Sequence, residues 1–282
     1  MQIIKTIESL RKTLKPYKLQ DKTIGLVPTM GALHSGHGAL IKESVKDCDI
    51  TVVSVFLNPI QFGKNEDLDK YPARLEADAK LAESLGADYV FAPSAAEMYP
   101  DGDPTTMVRN EGLEGLYCGA YRPGHFRGVL TVVSKLFIIT GANRAYFGEK
   151  DYQQVFLIEK MAKDLNFDIE IHRVPIVREE SGLALSSRNE YLSDEEKKNS
   201  LGIHEGLLKA KNAYSNGERR VSELRDIVLK SILSNHGMVQ YVEVVCQETL
   251  QKCTGCLKDE KVTILVAAFF GKTRLIDNVQ IN

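Results

Sequence analysis

The sequence predicts an α/β protein, with a Rossmann-like, doubly wound parallel sheet followed by a smaller α+β domain. Up to about residue 176, short runs of β-branched and apolar residues alternate with helical segments, as in βαβ units. Beyond that point, two helical segments precede three strand-like runs that have no helix between them. A chain of 282 residues, 43% of them hydrophobic, is long enough to form two cores. We therefore predict domains at 1–176 and 177–282.

The elements of the first domain follow from hydrophobic patterning. The opening 15 residues lack the apolar region of a signal peptide and are predicted to be helical. Residues 49–57 are continuous and β-branched, as in a central parallel strand. Residues 126–140 suit either a strand or a helix, and their length favours a buried helix. The predicted strands are 24–29, 49–57, 88–92, 144–148 and 168–174, and the further helices are 39–46, 75–85, 126–140 and 152–165.

The second domain is predicted to have helices on one face of an antiparallel sheet. The predicted helices are 194–214 and 221–235, and the strands are 239–245, 262–270 and 274–279. In the parallel sheet of the first domain, by contrast, ligands are expected beyond the carboxyl ends of the strands. The loops that follow those strands are therefore the places to look for chemistry.

Composition excludes several classes of function. The 36 basic and 38 acidic residues give a net charge of −2, which argues against nucleic-acid binding by bulk charge. The sequence contains no run of 18 apolar residues, so no membrane helix is predicted. The five cysteines, without an export signal, predict reduced thiols and a cytoplasmic location. Cys253 and Cys256 lack the further ligands of a zinc site, and we interpret them as two thiols near a turn.

The first chemical motif is the glycine-rich run MGALHSGHG, which follows a strand and opens a helix. Backbone N–H groups at a helix N-terminus favour phosphate, and glycines allow its close approach. His34 and His37 lie three residues apart, so their ring N–H groups can stabilise charge on a phosphoryl group in transfer. An ordinary turn with two solvent-facing histidines, or an H-x-x-H metal pair, are the alternatives.

Two later polar segments offer further groups that can bind phosphate. Lys150 follows the strand 144–148 and brings a mobile positive charge, and Asp151 can accept hydrogen bonds from a ribose or simply cap the next helix. Residues 185–189 read LSSRN, in which two serine hydroxyls and an arginine form a natural phosphate clamp. The same residues are also compatible with a polar interdomain linker. The nearby Gly182 favours a loop that closes over a nucleotide.

Six segments in this order and spacing resemble the pantoate–β-alanine ligase family, within the superfamily of HxGH nucleotidylyltransferases and class I aminoacyl-tRNA synthetases. These segments are VPTMGALHSGH, FLNPIQFG, EDLDKYP, RPGHFRGV, YFGEKDYQQ and REESGLALSSRNEYLS. The resemblance is strong over residues 20–200. It implies that pantoate and ATP, with Mg²⁺, form pantoyl adenylate and pyrophosphate, and that β-alanine then displaces AMP to give pantothenate. It also implies a homodimer and no tightly bound cofactor.

The resemblance assigns roles to individual residues. It implies that His34, His37, Lys150 and Arg188 are catalytic, and that Asn58, Gln61, Arg122, His125 and Gln154 bind pantoate or β-alanine. Arg127 is a weaker candidate for the same site, and Asp78 is a weak candidate for Mg²⁺. The implied ATP-binding residues are Met30, Gly31, Ala32, Leu33, His34, Ser35, Gly36, His37, Gly148, Glu149, Lys150, Asp151, Val177, Leu185, Ser186, Ser187 and Arg188.

One position departs from the family pattern, because Leu185 stands where the family usually has methionine. The exchange keeps size and apolarity, so we expect it to alter packing beside adenine and to leave the phosphate clamp intact. The second domain is expected to cover the active site. Competing interpretations are an HxGH enzyme that adenylylates a phosphate or nucleotide, and a nucleotide-sensing or RNA-binding module. The segments FLNPIQFG and YFGEKDYQQ disfavour the first, and the balanced charge disfavours the second.

Overall fold

A computed structural model describes residues 1–63, 68, 74–258 and 260–281 of the chain. The chain divides into two compact units, of which the first comprises Met1–Glu149 and Gln154–Pro175 and the second Lys150–Gln153 and Ile176–Asn282. Among the described helices, none has the length and apolar character needed to cross a bilayer.

The first unit contains a six-stranded sheet in which every pairing is parallel. Its strands are β1 (Gln2–Ile4), β2 (Ile24–Thr29), β3 (Ile50–Val55), β4 (Tyr89–Phe91), β5 (Arg144–Gly148) and β6 (Glu170–Val174), in the order β1-β4-β3-β2-β5-β6. The α-helices that follow or connect them are α1 (Ile7–Leu19), α2 (Ser35–Asp47), α3 (Leu75–Ser84), α4 (Ala95–Met98), α5 (Cys118–Tyr121), α6 (His125–Thr140) and α7 (Tyr152–Asp164). The predicted parallel sheet is confirmed.

The strand order creates a switch point between β2 and β5. From β2 the chain adds β3 and β4 on one side, whereas β5 and β6 lie on the other side. Helices α2 and α3 pack on one face of the sheet, and α1 and α6 pack together with α6 against β2. Open α/β sheets bind ligands beyond the carboxyl ends of the strands at such a point, so a site is expected in the loops after β2 and β5.

The opening of the chain differs from its prediction as one helix. Residues Gln2–Ile4 instead form β1, which pairs with β4 at the edge of the sheet. Helix α1 starts only at Ile7, because Thr6 caps it by accepting a hydrogen bond from the Ser9 N–H. Two consecutive β-branched isoleucines suit a strand, and the cap fixes the point where the helix begins.

Helix α2 lies very close to β2 at Gly25. A Cβ atom on Gly25 would come within 2.2 Å of the Ser44 Oγ, so glycine is required at this crossing. The Ser44 hydroxyl is buried and lies 2.8 Å from the Thr51 Oγ1 on β3. These contacts fix the C-terminal half of α2 against the centre of the sheet.

The second unit has its own sheet and core. Helices α8 (Asp194–Ser215) and α9 (Val221–Ser234) precede the strands β7 (Met238–Cys246), β8 (Val262–Phe270) and β9 (Thr273–Ile281). The strand order is β7-β8-β9, and the predicted antiparallel pairing is confirmed. Ile203, Leu224 and Ile264 belong to one buried cluster, which shows that both helices pack on the sheet.

Candidate active site

The loop after β2 has an unusual backbone at two successive residues. Gly31 has a φ of +90° and Ala32 a φ of +51°, a region that L-residues seldom adopt. The Thr29 Oγ1 stabilises this turn, because it accepts a hydrogen bond from the Gly31 N–H at 3.2 Å and donates to the Ser54 carbonyl at 2.7 Å. The turn directs the chain from the end of β2 into α2.

Asp78, on α3, holds the same loop from the other side. Its Oδ2 accepts a hydrogen bond from the Ala32 N–H at 2.9 Å, and its Oδ1 accepts one from the Leu33 N–H at 2.8 Å. The residue is only 3% exposed. The structure therefore shows Asp78 as the carboxylate that holds the loop backbone, and its weakly expected contact with Mg²⁺ stays a prediction.

The two histidines lie where this loop becomes helix. Helix α2 begins at Ser35, four residues earlier than the predicted 39, with His34 as its N-cap. The His34 Nδ1 accepts a hydrogen bond from the Gly36 N–H at 3.1 Å, and the His37 Nδ1 accepts one from the His34 N–H at 3.3 Å. The ring centroids are 4.1 Å apart. The structure therefore brings the histidines together, and both serve the helix N-terminus.

These hydrogen bonds fix which ring nitrogen carries the proton. A neutral imidazole has one donor and one acceptor nitrogen, and the Nδ1 atoms of His34 and His37 are both acceptors. Each neutral ring must therefore carry its proton on Nε2. Two Nε2–H donors beside backbone N–H groups at a helix N-terminus form an arrangement suited to phosphate oxygens.

A buried polar network connects the loop to the predicted pantoate residues. The Gln61 Nε2 donates to the Met30 Sδ at 2.9 Å, and the Gln61 Oε1 accepts from the Asn58 Nδ2 at 3.0 Å. The Asn58 Nδ2 also donates to the Gly128 carbonyl, and its Oδ1 accepts from the Tyr99 hydroxyl at 2.8 Å. Burial raises the pKa of Tyr99, which keeps this hydroxyl a donor. Gln61 and Asn58 are thus held within one network.

Arg122 and His125 extend this network. The Arg122 Nη1 lies 2.9 Å from the His125 Nε2, and the His125 Nδ1 lies 2.9 Å from the Gln61 carbonyl oxygen. Because a guanidinium only donates, the His125 Nε2 must accept and its Nδ1–H must donate to Gln61. This tautomer is the opposite of that of His34 and His37. Because both of its ring nitrogens contact protein groups, His125 is suited to supporting the wall of the site.

The remaining predicted residues of the first unit occupy different settings. Gly148 ends β5, and a Cβ atom placed on it would meet nothing within 4 Å. Glu149 and Gln154 are half-buried, and the Gln154 side chain has no hydrogen-bond partner among the described residues. Arg127 is exposed. Of the EDLDKYP segment, residues 66–72, all but Leu68 lie outside the described residues.

The predicted nucleotide residues of the second unit follow a small hairpin. Arg178 and Ala184 form an antiparallel bridge, and the Leu185 N–H donates to the Val177 carbonyl at 3.0 Å. Gly182, with a φ of +96°, forms the turn. The polar loop expected here is therefore an ordered hairpin over residues 177–185, and it brings Val177 and Leu185 together.

The hairpin leads directly into the serines and the arginine. Ser186 caps a 3₁₀ helix, Ser187–Tyr191, by accepting a hydrogen bond from the Arg188 N–H at 3.2 Å. The buried Asn189 donates to the Ala184 carbonyl at 3.1 Å. Residues 186–188 therefore form the cap and the first turn of a short helix.

Lys150 and Asp151 lie in the 3₁₀ turn Glu149–Asp151, immediately after β5 in the chain. The Lys150 carbonyl accepts a hydrogen bond from the Asn278 Nδ2 at 3.1 Å. Lys150–Gln153 belongs by its contacts to the second unit, although its neighbours in sequence belong to the first. Asn278 thus gives Lys150 a connection that sequence reasoning missed.

Several contributors to the site could not be found from sequence patterns. Asp78 binds a loop that lies 46 residues before it, and Tyr99 binds Asn58 41 residues before it. Arg178 and Asp277 are 99 residues apart, yet they form a two-pronged ion pair. The only available signal was the presence of polar residues in otherwise apolar elements. Within the described ranges, no group of three or more His, Cys, Asp and Glu is arranged to hold a metal ion.

Comparison with known proteins gives matches along nearly the whole chain. A family model described as pantoate-beta-alanine ligase matches residues 2–280. The pantothenate synthetase of Acetivibrio thermocellus is 50% identical, with 99% of each chain covered. The pantothenate synthetase of Fervidobacterium nodosum is 49% identical, with 100% of each chain covered.

Solved structures agree with these sequence matches. The pantothenate synthetase of Thermus thermophilus is 41% identical, with a TM-score of 0.92 and 99% of each chain covered. The pantoate-beta-alanine ligase of Francisella tularensis, complexed with β-γ ATP and β-alanine, is 36% identical, with a TM-score of 0.81. The match covers 99% of this chain and 97% of the Francisella chain.

Proposed function

The chain belongs to the pantoate-beta-alanine ligase family, and from this premise we propose that it joins pantoate to β-alanine in two steps through a pantoyl adenylate. The observation that carries the proposal is the paired histidine arrangement at the start of α2. Two Nε2–H donors, set by hydrogen bonds to their Nδ1 atoms, lie in the loop beside the switch point of the sheet. The relative complexed with β-γ ATP and β-alanine supports ATP and β-alanine as substrates.

In the first step, a carboxylate oxygen of pantoate attacks the α-phosphorus of ATP. The new O–P bond forms as the bond to the bridging oxygen breaks, and pyrophosphate leaves. A simple carboxyl group has a pKa near ~4, so the nucleophile is already ionised at neutral pH and needs no base. The protein instead supplies alignment and stabilises developing charge. We assign that task to His34, His37, Lys150 and Arg188, with the hydroxyls of Ser186 and Ser187.

Pantoate itself is assigned to the polar network and to Gln154. An amide both donates and accepts, which suits a ligand that carries hydroxyls and a carboxylate. Gln61 is held by Asn58 and Met30, whereas the Gln154 amide has no partner among the described residues. Gln154 is therefore the amide that a bound acid recruits with the least rearrangement.

In the second step, the neutral amine of β-alanine attacks the acyl carbon and AMP leaves. One proton must leave the amine during this step, and we assign it to no particular residue. Mg²⁺ enters as part of the ATP substrate, because this ion is usually held by phosphates and water with few protein ligands. Asp78 has both oxygens on the loop backbone and is not proposed as a ligand. The resemblance also supports a homodimer, which light scattering tests.

The decisive experiment is ATP–pyrophosphate exchange with Mg²⁺, with β-alanine omitted. We expect isotope to enter ATP only when pantoate is present. Labelled pyrophosphate can re-form ATP only by reacting with the pantoyl adenylate, in the reverse of the first step. Binding of a non-hydrolysable ATP analogue is measured in parallel. Absence of exchange with pantoate, in a protein that binds the analogue, would contradict the adenylate mechanism.

A further inference from the structure

Two consecutive residues of β9, Asp277 and Asn278, have buried polar side chains, which point to opposite faces of the sheet because side chains alternate along a strand. They are 5% and 3% exposed, and the same strand contributes Leu275 and Ile281 to the apolar core. The Asp277 Oδ1 also accepts a hydrogen bond from the Asn278 N–H at 2.8 Å. Burial of polar groups is unfavourable unless they are satisfied, so the partners of these side chains indicate their purpose.

Asp277 holds the hairpin that precedes the phosphate clamp. The Arg178 Nη1 donates to the Asp277 Oδ2 at 2.7 Å, and the Arg178 Nη2 donates to the Asp277 Oδ1 at 2.9 Å. The same Nη1 donates to the Gly182 carbonyl at 3.1 Å. One guanidinium therefore joins β9 to both the first strand and the turn of the hairpin, whose end is Leu185.

Asn278 holds the segment that carries the phosphate lysine. Its Nδ2 donates to the Lys150 carbonyl at 3.1 Å. A lysine side chain is long and flexible, so the position of its backbone sets the region that the ammonium can reach. The anchors of Lys150 and of residues 186–188 are thus adjacent residues of one strand.

We propose that Asp277 and Asn278, together with Arg178, are positioning residues that set the spacing between Lys150 and Arg188. This inference rests on the proposed function, in which both cations act on the phosphates of ATP. Charge stabilisation in phosphoryl transfer depends on groups held in place before the reaction, and a displacement of about 1 Å can lower the rate about 100-fold. A buried ion pair contributes little net stability compared with apolar residues, which is consistent with a positioning role for Arg178 and Asp277.

The test compares two variants with the parent. Asn278→Ala removes the bond to Lys150, and the double variant Arg178→Met with Asp277→Leu replaces the ion pair by apolar side chains. We expect each to lower the maximal rate of pantoate-dependent ATP–pyrophosphate exchange about 10- to 100-fold, with the KM for pantoate changed less than about threefold. We expect the double variant to stay folded and to melt somewhat below the parent, because neither charge is left unpaired but the Gly182 carbonyl and the Asn278 N–H each lose one partner.

Amide hydrogen exchange gives a readout that needs no activity. We expect faster exchange over Lys150–Gln153 in Asn278→Ala, and over residues 177–189 in the double variant. Arg225→Ala is the matched control, because it removes a hydrogen bond to the Val242 carbonyl elsewhere in the second unit. We expect that control to keep the parent's rate and its exchange in both segments.

The outcomes separate the inference from the function on which it rests. A parent without pantoate-dependent exchange refutes the adenylate mechanism, and hydrogen exchange then still decides whether β9 holds the two segments. Unchanged hydrogen exchange in both variants would overturn the positioning role. So would a parental rate in the double variant, since the ion pair would then serve stability alone.

Discussion

At the scale of the residue, Gly148 is a glycine that the protein's own packing does not require. A Cβ atom there meets nothing within 4 Å, and the residue is not in the left-handed region. Space of this kind at the carboxyl end of β5 is consistent with a ligand that approaches the backbone. Packing and ligand binding therefore make different predictions for a substitution.

We expect Gly148→Ala to leave the melting temperature within about 1 °C of the parent and to raise the KM for ATP several-fold. The methyl group would occupy space that we assign to the nucleotide, with no clash in the free protein. Steady-state kinetics and calorimetry on the same sample measure both quantities. An unchanged KM for ATP would show that this space is not used by the nucleotide.

We expect His204, on α8, to make the stability of the second unit depend on pH. It lies beside the hairpin, since a Cβ atom on Gly182 would come within 2.7 Å of its Cδ2. Its Nδ1 is buried with no hydrogen-bond partner among the described residues. Desolvation, followed by the charge of Arg178, lowers the pKa of His204, against the opposite effects of Asp277 and Glu205.

We expect the parent to lose stability as the pH falls below about 6.5, the usual pKa of an unfolded histidine. The folded pKa is lower, so the unfolded state takes up the proton first and acid favours unfolding. In His204→Gln this contribution is absent, and we expect the melting temperature to fall less between pH 7.5 and 5.5. Equal falls in the two proteins would contradict this assignment.

At the scale of the element, the contact between α6 and the 3₁₀ helix Pro59–Gln61 determines where Gln61 lies. A Cβ atom on Gly128 would come within 2.6 Å of the Ile60 carbonyl oxygen and of the Gln61 Cα. The atoms that this Cβ would meet belong to the backbone of residues 60 and 61, which cannot rotate away as a side chain can. The glycine therefore sets the distance between the helix and the segment that presents Gln61 and Asn58.

We expect Gly128→Ala to destabilise the protein by about 1–3 kcal/mol, as overpacked sites do, and to raise the KM for pantoate more than that for ATP. Denaturant titration gives the first quantity and steady-state kinetics the second. Val132→Ala, one turn further toward the C-terminus of the same helix, is the control for a general loss of packing. A larger change in the KM for ATP than in that for pantoate would contradict the assignment of Gln61.

Long, strongly patterned elements were predictable, whereas of the shortest elements β4 was predicted and β1, α4 and α5 were not. Strand β2 follows from a short apolar run and β3 from a continuous β-branched run, and α6 begins one residue from its predicted start. The three-residue β1 and the four-residue α4 and α5 escaped, because a single turn or three residues show no periodicity. The early start of α2 escaped because its cap is a histidine, which is not a usual capping residue.

Sequence motifs propose the residues of the candidate site, and they do not give the contacts of those residues. Family resemblance located His34, Gln61 and Arg188 because such motifs are read locally along the chain. The Nδ1 acceptor roles of the histidines, and the binding of a loop by Asp78, depend on three-dimensional proximity. The roles assigned to His34, Gln61 and Arg188 stay predictions.

At the scale of the whole molecule, sequence identity spans both units, since the relative from Fervidobacterium nodosum matches 100% of each chain. The activity is thus a property to be measured on the full chain. The 36 basic and 38 acidic residues also leave the molecule nearly neutral, with a net charge of −2. A phosphate-binding protein of this kind must concentrate its positive charge locally.

We therefore expect no measurable binding to duplex DNA at 50 mM salt, below about 100 μM protein, because non-specific affinity comes from counterion release by many basic residues. Fluorescence anisotropy of a labelled duplex measures this directly. A single-stranded RNA of equal length is the companion probe for the RNA-binding alternative. Salt-sensitive binding to either would indicate an extended basic surface.

The closeness of α2 to β2 at Gly25 has a consequence for motion during turnover. A helix of 13 residues is about 20 Å long, and its far end is clamped by Gly25 and by the Ser44–Thr51 hydrogen bond. The histidines thus lie at the N-terminal end of a helix whose C-terminal half is held against the central strands. We therefore expect His34 and His37 to keep their backbone positions between the empty and the occupied states.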